Sequence, residues 1–163
     1  RQIIMGMHTW FECKIRYEKV MENGMQKKVT EPYLVDALSF TEAEARIIEE
    51  MTPFITGEFT VSDIKRANYS ELFPSDEESA DRWFKCKLIF ITLDEKSGAE
   101  KKTSTQVLVQ AADLRDAVKK LDEGMKGTMA DYQIGMVSET PLMDVYPYSA
   151  EPNDKPEFDP SKA

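Results

Sequence analysis

Trp10-Phe11-Glu12-Cys13-Lys14-Ile15 returns 73 residues later as Trp83-Phe84-Lys85-Cys86-Lys87-Leu88. In the first string Phe11, Cys13, Ile15 and Tyr17 alternate with Trp10, Glu12, Lys14 and Arg16. Period two is the pattern of a strand with one buried face. The second string places Phe84, Cys86, Leu88 and Phe90 on the equivalent face.

The echo continues outward. Asn23-Gly24 aligns with Ser97-Gly98, and Leu34-Val35-Asp36-Ala37 with Leu108-Val109-Gln110-Ala111; the spacing grows by one residue across the turn. Asn-Gly tolerates the positive φ that hairpins need. A second strand then puts Val29, Tyr33, Val35 and Ala37 on one face, matched by Thr103, Val107, Val109 and Ala111. Pro32 lacks an N–H and marks an edge strand. Ser39 with Glu42 forms a capping box, and Asp113 with Asp116 a shortened one. Helical spacing follows at Phe40, Ala43 and Ile47 and at Leu114, Ala117 and Leu121. The first helix ends before Pro53 and the second near Gly124. Third strands carry Phe59 and Val61, then Tyr132 and Ile134. Phe73-Pro74 matches Tyr146-Pro147.

The expected fold is therefore α+β: a tandem, pseudo-two-fold ββαβ repeat of six strands, with two helices on one sheet face. The third strand of each unit runs parallel to the second, with the first strand between them. The expected divisions are an extension at 1–9, units at 10–74 and 83–147, an acidic linker at 75–82, and a flexible acidic tail with prolines at 148–163. Two copies are too few for a solenoid.

The chain has 163 residues, of which 41% are hydrophobic and 31% charged, enough apolar content to fold. The net charge of −9 excludes a uniformly basic nucleic-acid coat. Acid gathers at Asp76, Glu77, Glu78 and Asp81, and again at Glu151, Asp154, Glu157 and Asp159. No apolar run approaches the roughly 20 residues of a membrane span, and no export signal is present. The expected setting is cytoplasmic, with Met5 or Met7 as a natural start. Cys13 and Cys86 read as unpaired, inward-facing thiols. With His8, they do not suffice for a Cys/His zinc site. The reading implies no cofactor and no metal. The nucleotide-loop, nucleophile-elbow and zinc-helix motifs are absent, so the chain reads as non-enzymatic.

If the helices cover the Phe/Cys side of the strands, the other side shows Trp10, Lys14, Arg16 and Lys28 in the first unit. It shows Trp83, Lys85, Lys87 and Lys102 in the second. Indoles beside cations form a platform for single-stranded nucleic acid: bases stack on rings and cations follow phosphates. The structural alternative is that each tryptophan, standing at the start of a strand, caps the core or packs the units together. A rival reading is a protein interface, through an apolar patch at Ile89, Ile91, Leu34 and Leu108 on the same surface, through the edge at Pro32, or through the acidic tail. Lys65-Arg66-Ala67-Asn68-Tyr69 is a further basic and aromatic stretch, read as a solvated connector.

Val29-Thr-Glu-Pro-Tyr-Leu-Val-Asp-Ala37, Phe40-Thr-Glu-Ala-Glu-Ala-Arg46 and Ile64-Lys-Arg-Ala-Asn-Tyr-Ser-Glu-Leu-Phe73 join Trp10-Phe-Glu-Cys-Lys14 in a resemblance. The chain resembles the domain-of-unknown-function family 4494 of Bacteroidetes bacteria and their phages, over about Trp10 to Tyr148. The resemblance implies a bacterial or phage cytoplasm and brings no functional residues. The surface argument then points to a single-stranded DNA binder in phage or mobile-element replication. A protein-interaction or assembly module is the alternative.

Overall fold

The computed structural model describes residues 9–147. The expected extension and the acidic tail lie almost entirely outside these residues. The elements in order are β1 (Thr9–Val20), β2 (Gln26–Ala37), α1 (Phe40–Met51), β3 (Phe59–Ala67) and β4 (Glu71–Phe73). Then follow β5 (Arg82–Leu93), β6 (Glu100–Ala111), α2 (Leu114–Gly124), β7 (Asp131–Glu139) and β8 (Asp144–Tyr146). The α+β class is as expected. The strand count is not: among the described residues, eight strands form two four-stranded sheets, where six were expected.

The chain divides into two compact units, one reaching Ala67 and resuming at Asp144, the other spanning Asn68–Met143. In the first the order is β3-β1-β2-β8, with β1 antiparallel to both neighbours and β8 parallel to β2. In the second it is β4-β6-β5-β7, with β4 parallel to β6. The first strand of each hairpin thus lies centrally, as expected. The boundaries at 74 and 83 shift, because β4 enters the second unit and β8 returns to the first. Geometry gives the reason. Ala67, where β3 ends, is level with Trp10 and hence with Asp36 of β2. The free margin of β2 lies three strand spacings away, about 14 Å. Residues 68–70 are too few to cross that distance and also turn back into a parallel strand.

Local chemistry explains the hairpins and helices. Gly24 and Gly98 hold φ of 83° and 74° in the two hairpin loops. The first loop runs from 21 to 25 and the second from 94 to 99, which accounts for the residue gained across the turn. The Ser39 hydroxyl accepts from the Glu42 N–H (3.1 Å), and the Glu42 carboxylate accepts from the Leu38 N–H (2.6 Å). Asp113 accepts from the Asp116 N–H (2.8 Å) while Asp116 accepts from the Ala112 N–H (2.9 Å). Both expected caps are therefore reciprocal, closing orphan donors at each helix start. The Ala112 hydrogen bond, followed by the one from Lys120, holds the Asp116 carboxyl below the usual range.

Each helix buries one stripe against the Phe/Cys face. In the first unit Ala43, Ile47 and Met51 meet Phe11, Cys13, Ile15, Val35 and Ala37. In the second Ala117 and Leu121 meet Phe84, Cys86, Leu88, Val107, Val109 and Ala111. Both thiols are buried and unpaired, as expected. One basic residue on each helix fastens the chain beyond a short strand. Arg46 donates to the Asp36 carbonyl and to the Pro147 carbonyl (3.2 Å), at the exit of β8. Lys120 donates to the Ser75 hydroxyl (3.1 Å) and to Glu77 (2.8 Å), at the exit of β4. Gln110 completes the second clasp by accepting from the Ser75 N–H (2.9 Å).

Candidate interaction surface

The sheet faces opposite the helices are closed at one end and open at the other. In the first unit Trp10 is 8% exposed, Leu34 and Asp36 are fully buried, and Val145 is 7% exposed. In the second Trp83 is 4% exposed and Leu108 is fully buried. This corrects the sequence reading of the tryptophans. A buried indole has no face on which a base can stack, so Trp10 and Trp83 act as interior side chains. Leu34 and Leu108 leave the expected apolar patch for the same reason.

Cross-strand register decides the charge of the open end. In the first unit Lys14 stands opposite Asp63, Lys65 opposite Glu12, and Lys28 opposite Glu18. Opposite charges in directly facing positions cancel one another's field. Arg16, between Thr30 and Thr60, has no acid directly facing it on either neighbouring strand. Lys14 is half-buried, while Arg16 and Lys28 are exposed. The expected basic platform is therefore a mixed-charge surface here. Arg66, from the basic and aromatic stretch, lies over the Phe40 and Phe11 rings at 5.4 and 5.5 Å. Its place is structural, as a cation on aromatic faces.

The second unit differs. Half-buried Lys85 faces Leu108 and Ser138, and half-buried Lys87 faces Gln106 and Met136. Beyond them Ile89, Ile91 and Leu93 follow on the same face of β5. Leu93 is 68% exposed and Met136 43%. A bulge falls between Lys87 and Leu88 opposite β7, leaving Gly135 outside the register. A Cβ on Gly135 would meet the Ile89 side chain at 2.9 Å, so the absent side chain makes room for the isoleucine. The matching bulge of the first unit holds Ser62, whose hydroxyl donates to the Lys14 carbonyl (3.3 Å). Exposed Lys102 stands opposite Ile91, four residues and about 13 Å along the strand from Lys87. The open end of this sheet is thus an apolar strip on β5 with polar and mixed-charge margins: Ser104 and Gln133 face Ile89, Lys102 and Asp131 face Ile91, and Glu100 faces Leu93.

Beside it lies an open, polar groove of about 660 Å³, lined by Asn68, Tyr69, Ser70, Lys87, Ser104, Thr105 and Gln106. Of these, Lys87 was a sequence candidate, and Asn68 and Tyr69 belong to the basic and aromatic stretch that was read as a connector. For Gln106 the repeat itself was a signal, because it occupies the register position that Pro32 holds in the first unit.

The first unit carries a different polar cluster. Glu31, 9% exposed, accepts from the Tyr17 hydroxyl (2.8 Å), the Tyr33 hydroxyl (3.4 Å) and the Lys19 ammonium (3.3 Å). Tyr33 in turn stacks on Tyr146, with ring centres 6.2 Å apart. Burial, reinforced by Glu31, pushes the Tyr17 hydroxyl up to about 12 and the Tyr33 hydroxyl up as well. Burial, with Asp144 and Glu50, pushes Tyr146 up to about 12. Burial likewise pushes Cys13 up to about 12 and Cys86 to about 11.

These five groups hold their protons more tightly in the fold than in the unfolded chain. The stability they contribute is whole below the unfolded values of 9.0 for the thiols and 10.0 for the phenols, and is lost as pH rises through the folded values. Urea midpoints should therefore be level from neutral pH to about 9 and fall towards 12. A midpoint that stays level across that range would contradict this protonation pattern.

Fold and surface define an α+β protein of two helix-on-sheet units, one of them presenting an open apolar strip and a polar groove. The chain belongs to the family described as a domain of unknown function (DUF4494), whose model matches residues 9–148. No functionally curated protein matches it. Among the described residues no helix is long and apolar enough to cross a membrane.

Proposed function

We propose that this protein is a non-enzymatic protein-interaction or assembly module, and that the helix-free face of its second unit meets the partner. The observation that carries the reading is the apolar strip Ile89, Ile91, Leu93 and Met136, its isoleucines half-buried and Leu93 and Met136 exposed, on the same sheet face that buries Trp83. A contiguous apolar patch rimmed by polar side chains is the usual mark of a protein interface. The raised thiols and phenols keep their protons at neutral pH, which suits structural roles better than nucleophilic or basic ones.

We also infer an internal duplication. It is supported by the like order of elements, by hairpin strands of 12 residues in both halves, and by bulges at the matched pairs Lys14/Ile15 and Lys87/Leu88. The bacterial or phage cytoplasm implied by the resemblance completes this reading.

A photoreactive residue placed at position 91 should capture a defined protein in native lysate, while one at exposed Asp122 should not. Loss of capture in Leu93→Glu is the expected control. Equal capture at both positions would overturn the assignment of this face.

Single-stranded DNA binding is the second reading, supported by one observation: Tyr69 and Lys87 line the same groove, with Lys85 two residues from Lys87 on the same face of β5. It would place a base over the tyrosine and a phosphate on Lys87. Titration of a labelled oligothymidine would show it as binding that weakens with salt and is lost in Lys85→Glu/Lys87→Glu.

A further inference from the structure

We propose that the outer edge of β6, from Glu100 up to the Gln106 N–H, takes up an extended acidic peptide of a partner protein by strand addition. This rests on the interaction-module reading and names the partner's chemistry. The argument begins with backbone direction. The Gln106 carbonyl accepts from the Ser70 N–H (2.8 Å) and the Ser70 hydroxyl (3.2 Å), so the Gln106 backbone faces away from β5. In an antiparallel strand the N–H and C=O of one residue face the same side, and successive residues alternate. Ser104 and Lys102 therefore present both groups outward as well. On this side β4 pairs only with Val107–Val109. Among the described residues the outward carbonyl of Gln106 is taken by Ser70, and no strand pairs with Glu100–Thr105 there. The polar groove opens ahead of the start of β4, with Ser104, Thr105 and Gln106 on one wall and Asn68, Tyr69 and Ser70, the residues that lead into β4, on the other. The lane that β4 begins thus continues as an accessible edge.

The first unit supplies an internal comparison. At the register position of Gln106 it carries Pro32, which offers no N–H and blunts an edge. The second unit has no proline in β6. One copy is closed to strand addition and the other is open to it. Charge then selects the peptide. Along the lane Lys87 and Lys102 on the helix-free face and Lys101 on the other stand against Glu100 and, at its head, Glu71. An extended chain with carboxylates on alternate residues would set them beside Lys87 and Lys102 on the helix-free face, while its backbone pairs with the edge.

The probe is a fluorescein-labelled decapeptide of alternating glutamate and valine, titrated by anisotropy against the full chain. Two N-methylated versions, blocking alternate amides in opposite registers, separate strand pairing from charge attraction. Binding should survive in one version and fall by about tenfold or more in the other. Gln106→Pro should weaken binding to a similar degree, and Pro32 shows that the fold accommodates proline at this position. Equal binding of both N-methylated peptides would overturn the proposal, because pairing would play no part. Absence of binding would overturn it too, while capture at position 91 would then still stand for the broader reading. Binding that tightens when residues 148–163 are deleted would assign the edge to the chain's own acidic tail and overturn the assignment to a partner.

Discussion

Trp83→Ala is expected to lower stability by about 3–5 kcal/mol, the usual cost of deleting a buried aromatic side chain. The indole is only 4% exposed. Its backbone carbonyl also holds the Thr140 N–H (2.8 Å) and hydroxyl (2.9 Å), so the start of β5 is tied to the end of β7 where the cavity would open. Trp10→Ala should act in the same direction, since Trp10 is 8% exposed. Urea denaturation followed by circular dichroism measures the loss. A stacking platform would give the opposite pattern: little change in stability and a clear loss of affinity for bases. Native emission should also be shifted to short wavelength and poorly quenched by acrylamide. Efficient quenching, with an unchanged urea midpoint in Trp83→Ala, would return the tryptophans to the surface and revive them as ligand contacts.

The sequence could be read correctly wherever structure is set by near neighbours. Phe11, Cys13 and Ile15 show their alternation within six residues, Ser39 reaches Glu42 within one turn, and Gly24 needs only its own φ. What lay beyond reach depends on distant pairing. β4 and β8 have three residues each, too few to display a period, and each pairs with a strand far along the chain. Alternation showed that Trp10, Lys14 and Arg16 share a face, but it is silent on whether that face is covered. Burial at the Trp10 end and exposure at the Arg16 end follow from packing alone. The neutralised platform of the first unit was hidden in the same way, because Lys14 meets Asp63 only once the β1–β3 register is known. Glu31 was the one local omission. It shares parity with Val29 and Tyr33, so an acid on the inward face was visible, and Tyr17 and Tyr33 were the available donors.

Leu121→Ala should be the more damaging of the two matched helix truncations, at about 2–5 kcal/mol. The reason lies in how few side chains hold α2. Its buried residues are Ala117 and Leu121, whereas α1 buries Ala43, Ile47 and Met51. Alanine contributes little apolar area, so Leu121 supplies most of the burial that fixes α2 to its sheet. An 11-residue helix is too short to persist without tertiary support. Losing the anchor should therefore loosen the whole element rather than leave a quiet cavity. The Lys120 clasp would follow, because its contacts to Ser75 and Glu77 depend on the helix holding its place. With the clasp weakened, β4 loses its exit anchor beside Gln110. Hydrogen exchange should thus quicken at amides of β4 as well as α2 in Leu121→Ala. In Ile47→Ala, Met51 still holds the helix, and faster exchange should remain nearer the site of substitution. Equal stability losses in the two variants, with β4 protection unchanged in Leu121→Ala, would show that α2 is held by something other than its apolar stripe.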